Sequence, residues 1–163
     1  MTKENLFMSM PERPVLRIRT KEGQGLPFKA NPSDAGMDAI CAEEEQYDLA
    51  PGEIRIVHSG VWFDIPPGYE IQVRSRSGCT ARGLVVANGV GTVDSGYEGE
   101  VGIILHNISK YWITIMPGDR VAQFVFCTVP EFSIGILHED DDRWYRNGRG
   151  GGGFGSTGGL YFS

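Results

Sequence analysis

Short stretches in which apolar and polar residues alternate follow one another along most of the chain. Alternation with period two is the mark of a half-buried strand. Val15-Leu16-Arg17-Ile18-Arg19 reads this way, and so do Met37 to Cys41, Tyr47 to Leu49, Glu53 to Val57, Val61 to Ile65 and Tyr69 to Arg74. The series continues with Leu84 to Ala87, Val101 to Leu105, Trp112 to Ile115 and Val121 to Phe126. Turn chemistry separates the runs: Pro51-Gly52, Pro66-Pro67-Gly68 and Pro117-Gly118-Asp119. Many short strands with regular turns predict an all-β sandwich, jelly roll or barrel. Only Ser77 to Arg82 and Asp140 to Trp144 have room for a helical turn. Residues 1–14 read as a loose leader, and Phe132 to Asn147 as a strand followed by an acidic linker.

Composition narrows this picture. A length of 163 residues suits one domain, and 40% hydrophobic content with mixed charge suits a soluble globular chain. The formal net charge of −6 argues against general nucleic-acid binding, for which a basic face is expected, but leaves room for a small anion held by local arginines. Cys41, Cys79 and Cys127 show neither a disulfide count nor zinc-ligand spacing, which predicts reduced thiols and a cytoplasmic setting. No apolar run is long enough for a membrane span. The acidic runs Glu43-Glu44-Glu45 and Glu139 to Asp142 read as solvated loops, because consecutive acids rarely converge on one cation.

Five segments carry chemistry. The densest is the tail, Arg149-Gly150-Gly151-Gly152-Gly153-Phe154-Gly155-Ser156-Thr157-Gly158. Glycine lets the backbone wrap a ligand with its N–H groups inward, arginine and hydroxyls suit phosphate, and a phenylalanine between glycines can cover a flat ring. A lid over a phosphorylated aromatic ligand is the functional reading, and a Gly-rich tail the plainer one. Asp38, in Asp34-Ala35-Gly36-Met37-Asp38, reads by itself as a turn aspartate. Arg74-Ser75-Arg76-Ser77-Gly78 joins a strand to a helical turn, and is either an anion site or a polar strand end. Asn88 to Val101 reads as a glycine-rich hairpin bearing Asn88, Asp94 and Tyr97. Asparagine can pair with the amide edge of a pyrimidine, and aspartate can activate water. In Gly118 to Phe124, Arg120 reads as a buried arginine in a salt bridge beneath the site, while Gln123 is open to either reading.

Taken in order, the segments resemble the five motifs of the trimeric deoxyuridine triphosphatases (dUTPases): Ala35 to Asp38, Arg76 to Gly78, Gly91 to Glu100, Gly118 to Gln123 and Arg149 to Gly158. The resemblance spans about Val15 to Gly159. It implies an all-β subunit of the β-clip type, a distorted jelly roll over residues 15–147, with a C-terminal glycine-rich lid over 148–163, assembled into a homotrimer whose three sites lie between subunits. It implies hydrolysis of dUTP to dUMP and pyrophosphate with Mg²⁺, which keeps uracil out of DNA and supplies dUMP for thymidylate synthesis.

By the same resemblance Asp94 is the general base. Asn88 and main chain near Gly102 recognise uracil, with Thr92 and Val93 also against the substrate, and Tyr97 packs beneath the deoxyribose. Arg76, Ser77, Gly78 and Gln123 hold phosphates. Arg149, Gly155, Ser156 and Thr157 close on the terminal phosphate, and Phe154 covers the base. Asp38 supports Mg²⁺ through water. Three departures stand out: Gly96 where a second acid is frequent, Ser75 where proline is frequent (predicting a looser loop), and four consecutive glycines in the lid. The related deoxycytidine triphosphate deaminases share the fold, but they carry a catalytic glutamate where this chain has apolar Val101 to Leu105, and they lack such a lid. A non-catalytic nucleotide-binding regulator is the other alternative, and it has no need of Asp94.

Overall fold

The computed structural model describes residues 13–138. The leader up to residue 12, the turn at Asp140 to Trp144, the acidic run from Glu139 and the whole lid, including Arg149, Phe154, Gly155, Ser156 and Thr157, lie outside the described residues.

Among the described residues eleven strands and one helical turn form in chain order. They are β1 (Arg17–Thr20), β2 (Gly36–Ile40), β3 (Tyr47–Leu49), β4 (Ile54–His58), β5 (Val61–Asp64) and β6 (Tyr69–Arg74), then α1 (Ser77–Thr80). After it come β7 (Leu84–Val86), β8 (Val90–Val93), β9 (Gly102–Asn107), β10 (Ile113–Ile115) and β11 (Arg120–Thr128). The all-β expectation holds, with most strands within a residue or two of their alternating runs. Four antiparallel sheets result, ordered β2-β11-β6-β8, β4-β9-β7, β1-β5 and β3-β10. Residues 131–138 contain no helix or strand, so the expected strand after Phe132 does not form there, although Phe132, Ile134 and Ile136 keep its alternation.

Two turns of identical design set strand ends. In Ala50-Pro51-Gly52-Glu53 the Glu53 amide donates to the Ala50 carbonyl at 3.0 Å, and Glu53 Oε2 accepts the Ala50 amide at 2.8 Å. In Met116-Pro117-Gly118-Asp119 the Asp119 amide donates to Met116 at 3.0 Å, and Asp119 Oδ2 accepts the Met116 amide at 2.8 Å. Proline presets the first central residue. Glycine takes the positive φ that the second requires, 79° at Gly52 and 84° at Gly118. The second turn delivers the chain directly into β11.

β11 is one of the two inner strands of its sheet. Val121, Ala122, Phe124 and Val125 are buried there, and the Phe124 ring meets Phe63 edge-on at 5.1 Å between centroids. Ile71, Ile103, Leu105, Leu49 and Ile115 complete a continuous core. Asn107, fully buried at the end of β9, donates to the carbonyls of Leu49 (2.9 Å) and Tyr111 (2.7 Å) and accepts from Ser109. Each of its polar atoms is therefore satisfied, which a buried amide needs to avoid a net cost.

The segment from Asn88 to Val101 is not a hairpin. β8 pairs with β6 and β9 pairs with β4 and β7, so the intervening loop carries the chain from one sheet to the other. Both edges of β9 are occupied, which leaves no edge for β8.

Candidate active site

Pairing of β2 with β11 places Asp38 across from Gln123, and pairing of β11 with β6 places Gln123 across from Arg74. Directly opposed side chains of an antiparallel pair share a face. The functional end of the four-stranded sheet is therefore assembled from three distant stretches of sequence. Just past β6 the chain enters α1, with Arg76 in extended conformation at its N-cap.

Asp38 is the hub of this end. Its Oδ1 lies 2.8 Å from Arg76 Nε and its Oδ2 lies 3.2 Å from Arg120 Nη1, with the Asp38 side chain only 14% exposed. Arg76 also donates from Nη1 to the Arg120 carbonyl at 2.9 Å. Arg120 does have the ionic partner expected of it, but it is not buried: its side chain is 52% exposed. The β11 register shifts between Arg120 and Ala122, and this bulge turns the arginine out of the core-facing alternation.

Gln123 Nε2 donates to the Ser75 carbonyl at 2.8 Å. Ser75 does not loosen its loop: its Oγ accepts the Val86 amide at 2.8 Å and fastens the loop to β7. Arg76, Ser77 and Gly78 line a cavity of about 570 Å³ together with Arg82 and Arg120. Gln123 touches their loop without lining that cavity.

A second, smaller cavity of about 190 Å³ lies at the loop between β8 and β9. Asn88, Thr92, Val93, Asp94, Tyr97 and Gly102 all line it, so six residues singled out from the sequence meet at one place. Its remaining walls are Val73, Val101, Ile104 and Gly91. Gly91 keeps the cavity wall close-packed, because a Cβ there would lie 3.0 Å from Asn88 Nδ2 and 3.3 Å from Val73 Cβ, and these neighbours would have to give by a few tenths of an ångström. Apolar walls, one amide and one exposed carboxylate suit a flat heterocycle carrying a polar edge. The Asp94 carboxylate makes no hydrogen bond or ion pair among the described residues; only its main-chain carbonyl is engaged, by the Tyr97 amide at 3.0 Å.

The model of the dUTPase family matches residues 24–158 of this sequence. The chain belongs to the dUTPase family. It is 43% identical over 150 residues to a deoxyuridine 5'-triphosphate nucleotidohydrolase of Anaeromyxobacter sp., covering 91% of this chain and 99% of that one. Among solved structures it resembles a mutant dUTPase from phage phi11 of S. aureus, described for its coordination of a structural Mg(II) ion, with TM-score 0.69 and 25% identity over 79% of this chain and 99% of that one. It also resembles a mutant dUTPase of Staphylococcus bacteriophage 80alpha in complex with dUpNHpp, with TM-score 0.68 and 25% identity over 90% of this chain and 99% of that one.

Against this family background, sequence reasoning missed the walls of the small cavity. Val73, Val101 and Ile104 carry the same apolar signal as any core residue. It also missed that Asp38 serves two arginines; their spacing in sequence, 38, 76 and 120, contains no hint of contact.

Proposed function

We propose that this chain hydrolyses dUTP to dUMP and pyrophosphate. The carrying observation is the small cavity between β8 and β9, which combines the Asn88 amide, the Tyr97 ring and an Asp94 carboxylate unengaged among the described residues. Asn88 is suited to the donor–acceptor edge of uracil. Tyr97 is suited to pack under the sugar, where a 2′-hydroxyl would be buried without a partner. Asp94 accepts a proton from water as the water oxygen bonds to the α-phosphorus; the bond to the bridging oxygen breaks, and pyrophosphate leaves. Such a transfer is accelerated mainly by positioning and charge neutralisation. Arg76, with the Ser77 and Gly78 amides, provides these for the phosphates, and Gln123 holds their loop through the Ser75 carbonyl.

When bound, Mg²⁺ would neutralise phosphate charge in this reaction. Among the described residues no group of three or more acidic, histidine or cysteine side chains is placed to hold an ion. Asp38 Oδ2 already accepts from Arg120 and Oδ1 lies in an ion pair with Arg76, and each oxygen retains a lone pair for a water. The donor set therefore fits an ion carried chiefly by phosphate oxygens and met by Asp38 through water, as is common for Mg²⁺.

The working unit in this proposal is a homotrimer. The phosphate-directed residues and the base-directed residues line different cavities of one chain, which favours a site completed by another copy. Ile54 and Ile56 of β4 are 57% and 64% exposed on a sheet face that suits burial against such a copy. Residues 148–163 act as the lid of the same domain: Arg149, Ser156 and Thr157 close on the terminal phosphate beside Gly155, and Phe154 closes on the base. The family match extends to residue 158, through this stretch.

The test is product analysis with dUTP and dCTP. Pyrophosphate release from dUTP without ammonia is the expected result. Ammonia from dCTP would mark a deaminase, and tight dUTP binding without turnover would mark a regulator; either overturns the proposal.

A further inference from the structure

The loop bearing Asp94 and Tyr97 leaves β8 after Val93 and rejoins the fold at Val101, whose amide donates to the Val61 carbonyl at 2.9 Å. Just before that point Glu100 makes three contacts. Its Oε1 accepts the Gly60 amide at 2.7 Å, and its Oε2 lies 3.1 Å from His58 Nδ1. Its main-chain carbonyl accepts the Tyr97 hydroxyl at 2.9 Å. The carboxylate is only 24% exposed, so the Gly60 bond is largely sheltered from water. One residue thus grips the turn between β4 and β5 with its side chain and the Tyr97 phenol with its backbone. Gly99 lets the ring lie close: a Cβ there would come within 2.5 Å of the Tyr97 hydroxyl oxygen and 2.6 Å of Cζ. Tyr97 as a whole is 47% exposed, so little packing fixes it.

We propose that Glu100 is a positioning residue for sugar discrimination, holding Tyr97 at the depth where a 2′-hydroxyl is excluded. This rests on the reading of Tyr97 as the platform beneath the deoxyribose. Exclusion by crowding depends steeply on distance: a shift of about 1 Å in a binding group can change rates by about a hundredfold. A half-exposed ring anchored through one hydroxyl moves with its anchor, and the anchor moves if the grip on Gly60 is released. His58 steadies the second carboxylate oxygen from the adjoining strand.

The test compares wild type with Glu100→Ala, Glu100→Asp and Glu100→Gln, reading the ratio of kcat/KM for dUTP to that for UTP. Crowding out a single hydroxyl supplies discrimination of about a hundredfold, so Glu100→Ala is expected to lower the ratio by about tenfold or more. Glu100→Asp, retracted by one methylene, falls between. Glu100→Gln keeps an acceptor for the Gly60 amide and stays within about threefold of wild type. An unchanged ratio in Glu100→Ala, or an equal fall for both substrates, overturns the assignment, because a merely structural role costs both alike.

Amide hydrogen exchange tests the anchor without turnover. Glu100→Ala should speed exchange at Gly60 and across residues 94–101, whereas Glu100→Gln should not. Unaltered exchange in Glu100→Ala sinks the positioning role even if dUTP is hydrolysed. Faster exchange in a protein inactive on dUTP would retain the anchor and reject the functional reading instead. Should the alanine variant fail to fold, the aspartate and glutamine variants decide by the same two readouts.

Discussion

Around Asp38 one carboxylate holds two guanidinium groups, whereas the Asp94 carboxylate has no partner among the described residues. Arg76 and Arg120 both reach the Asp38 carboxylate, and Gln123 is spent on the Ser75 carbonyl. The loop between β8 and β9 is built the opposite way. Its carboxylate is unengaged among the described residues, its tyrosine is half-exposed, and its main-chain contacts only hold the loop in shape. A group whose task is to present fixed positive charge gains from being immobilised before substrate arrives, since less reorganisation is left for the moment of reaction. A general base must keep its lone pairs for water. An arginine beside Asp94 would hold the carboxylate ionised but make it a poorer proton acceptor. The two regions therefore divide rigidity and availability between them.

Removing the available carboxylate should break the comparison most severely. Asp94→Asn keeps the shape and loses the proton acceptor, so kcat is expected to fall by about a thousandfold, within the range that a positioned general base supplies. Binding of a non-hydrolysable dUTP analogue should persist within a few-fold. Comparable turnover in a pyrophosphate-release assay would mean that another group activates the water.

Ending the chain after Asn147 comes next. A lid that excludes water and adds phosphate contacts is worth about a hundredfold in kcat/KM. The truncated protein should keep its assembly, because the eleven strands of the described residues and the core they bury lie at or before Thr128. Loss of the assembly, read by solution mass, would show the tail to be structural first.

Asp38→Ala probes the paired region. It frees two guanidinium groups, Arg76 now held by an ion pair at 2.8 Å and Arg120 by a hydrogen bond at 3.2 Å. We expect a ten- to hundredfold fall in kcat/KM on this account, mostly through KM, since Arg76 must then be ordered by the phosphates themselves. A fall confined to kcat, with the apparent affinity for Mg²⁺ weakened to match, would assign Asp38 chiefly to the ion.

The same contrast explains what was legible in the sequence. The Pro-Gly turns at 51–52 and 117–118 and the alternating runs fix the strands because their physics is local. The segments around Arg76 and Asn88 to Gly102 could be singled out because glycine with polar groups departs from that local pattern. Pairing is not local. Alternation in β8 and β9 tells which side chains share a face, not which strand lies alongside, so a sheet-switching loop read as a hairpin. Arg120 read as buried because alternation was extended through a bulge that no residue in Gly118 to Gln123 announces. Asp38 read as a turn residue because its partners sit 38 and 82 positions away along the chain.

The smallest expected effect concerns a side chain outside both regions. The Tyr47 hydroxyl is buried with no hydrogen-bond partner among the described residues, although Arg55 stacks on its ring at 4.0 Å. Burial pushes this phenol well above its ordinary range, and the charge of Cys41 adds to the shift. Burial likewise pushes the Cys41 thiol up. A raised folded-state value means that the folded protein holds its proton while the unfolded chain gives it up. Stability is then fully present below about pH 9 and drains as pH rises past the unfolded phenol's value of about 10. Tyr47→Phe removes both the unsatisfied hydroxyl and its titration while keeping the ring beneath Arg55. A buried hydroxyl without a partner costs about 1–3 kcal/mol, so the variant should be at least as stable as wild type near neutrality and lose less on going to pH 10.5. Urea midpoints at the two pH values check both halves of this expectation. A destabilised variant would mean that the hydroxyl is satisfied in the assembled protein, by water or by a second copy; the residual alkaline loss in a stable one would report Cys41.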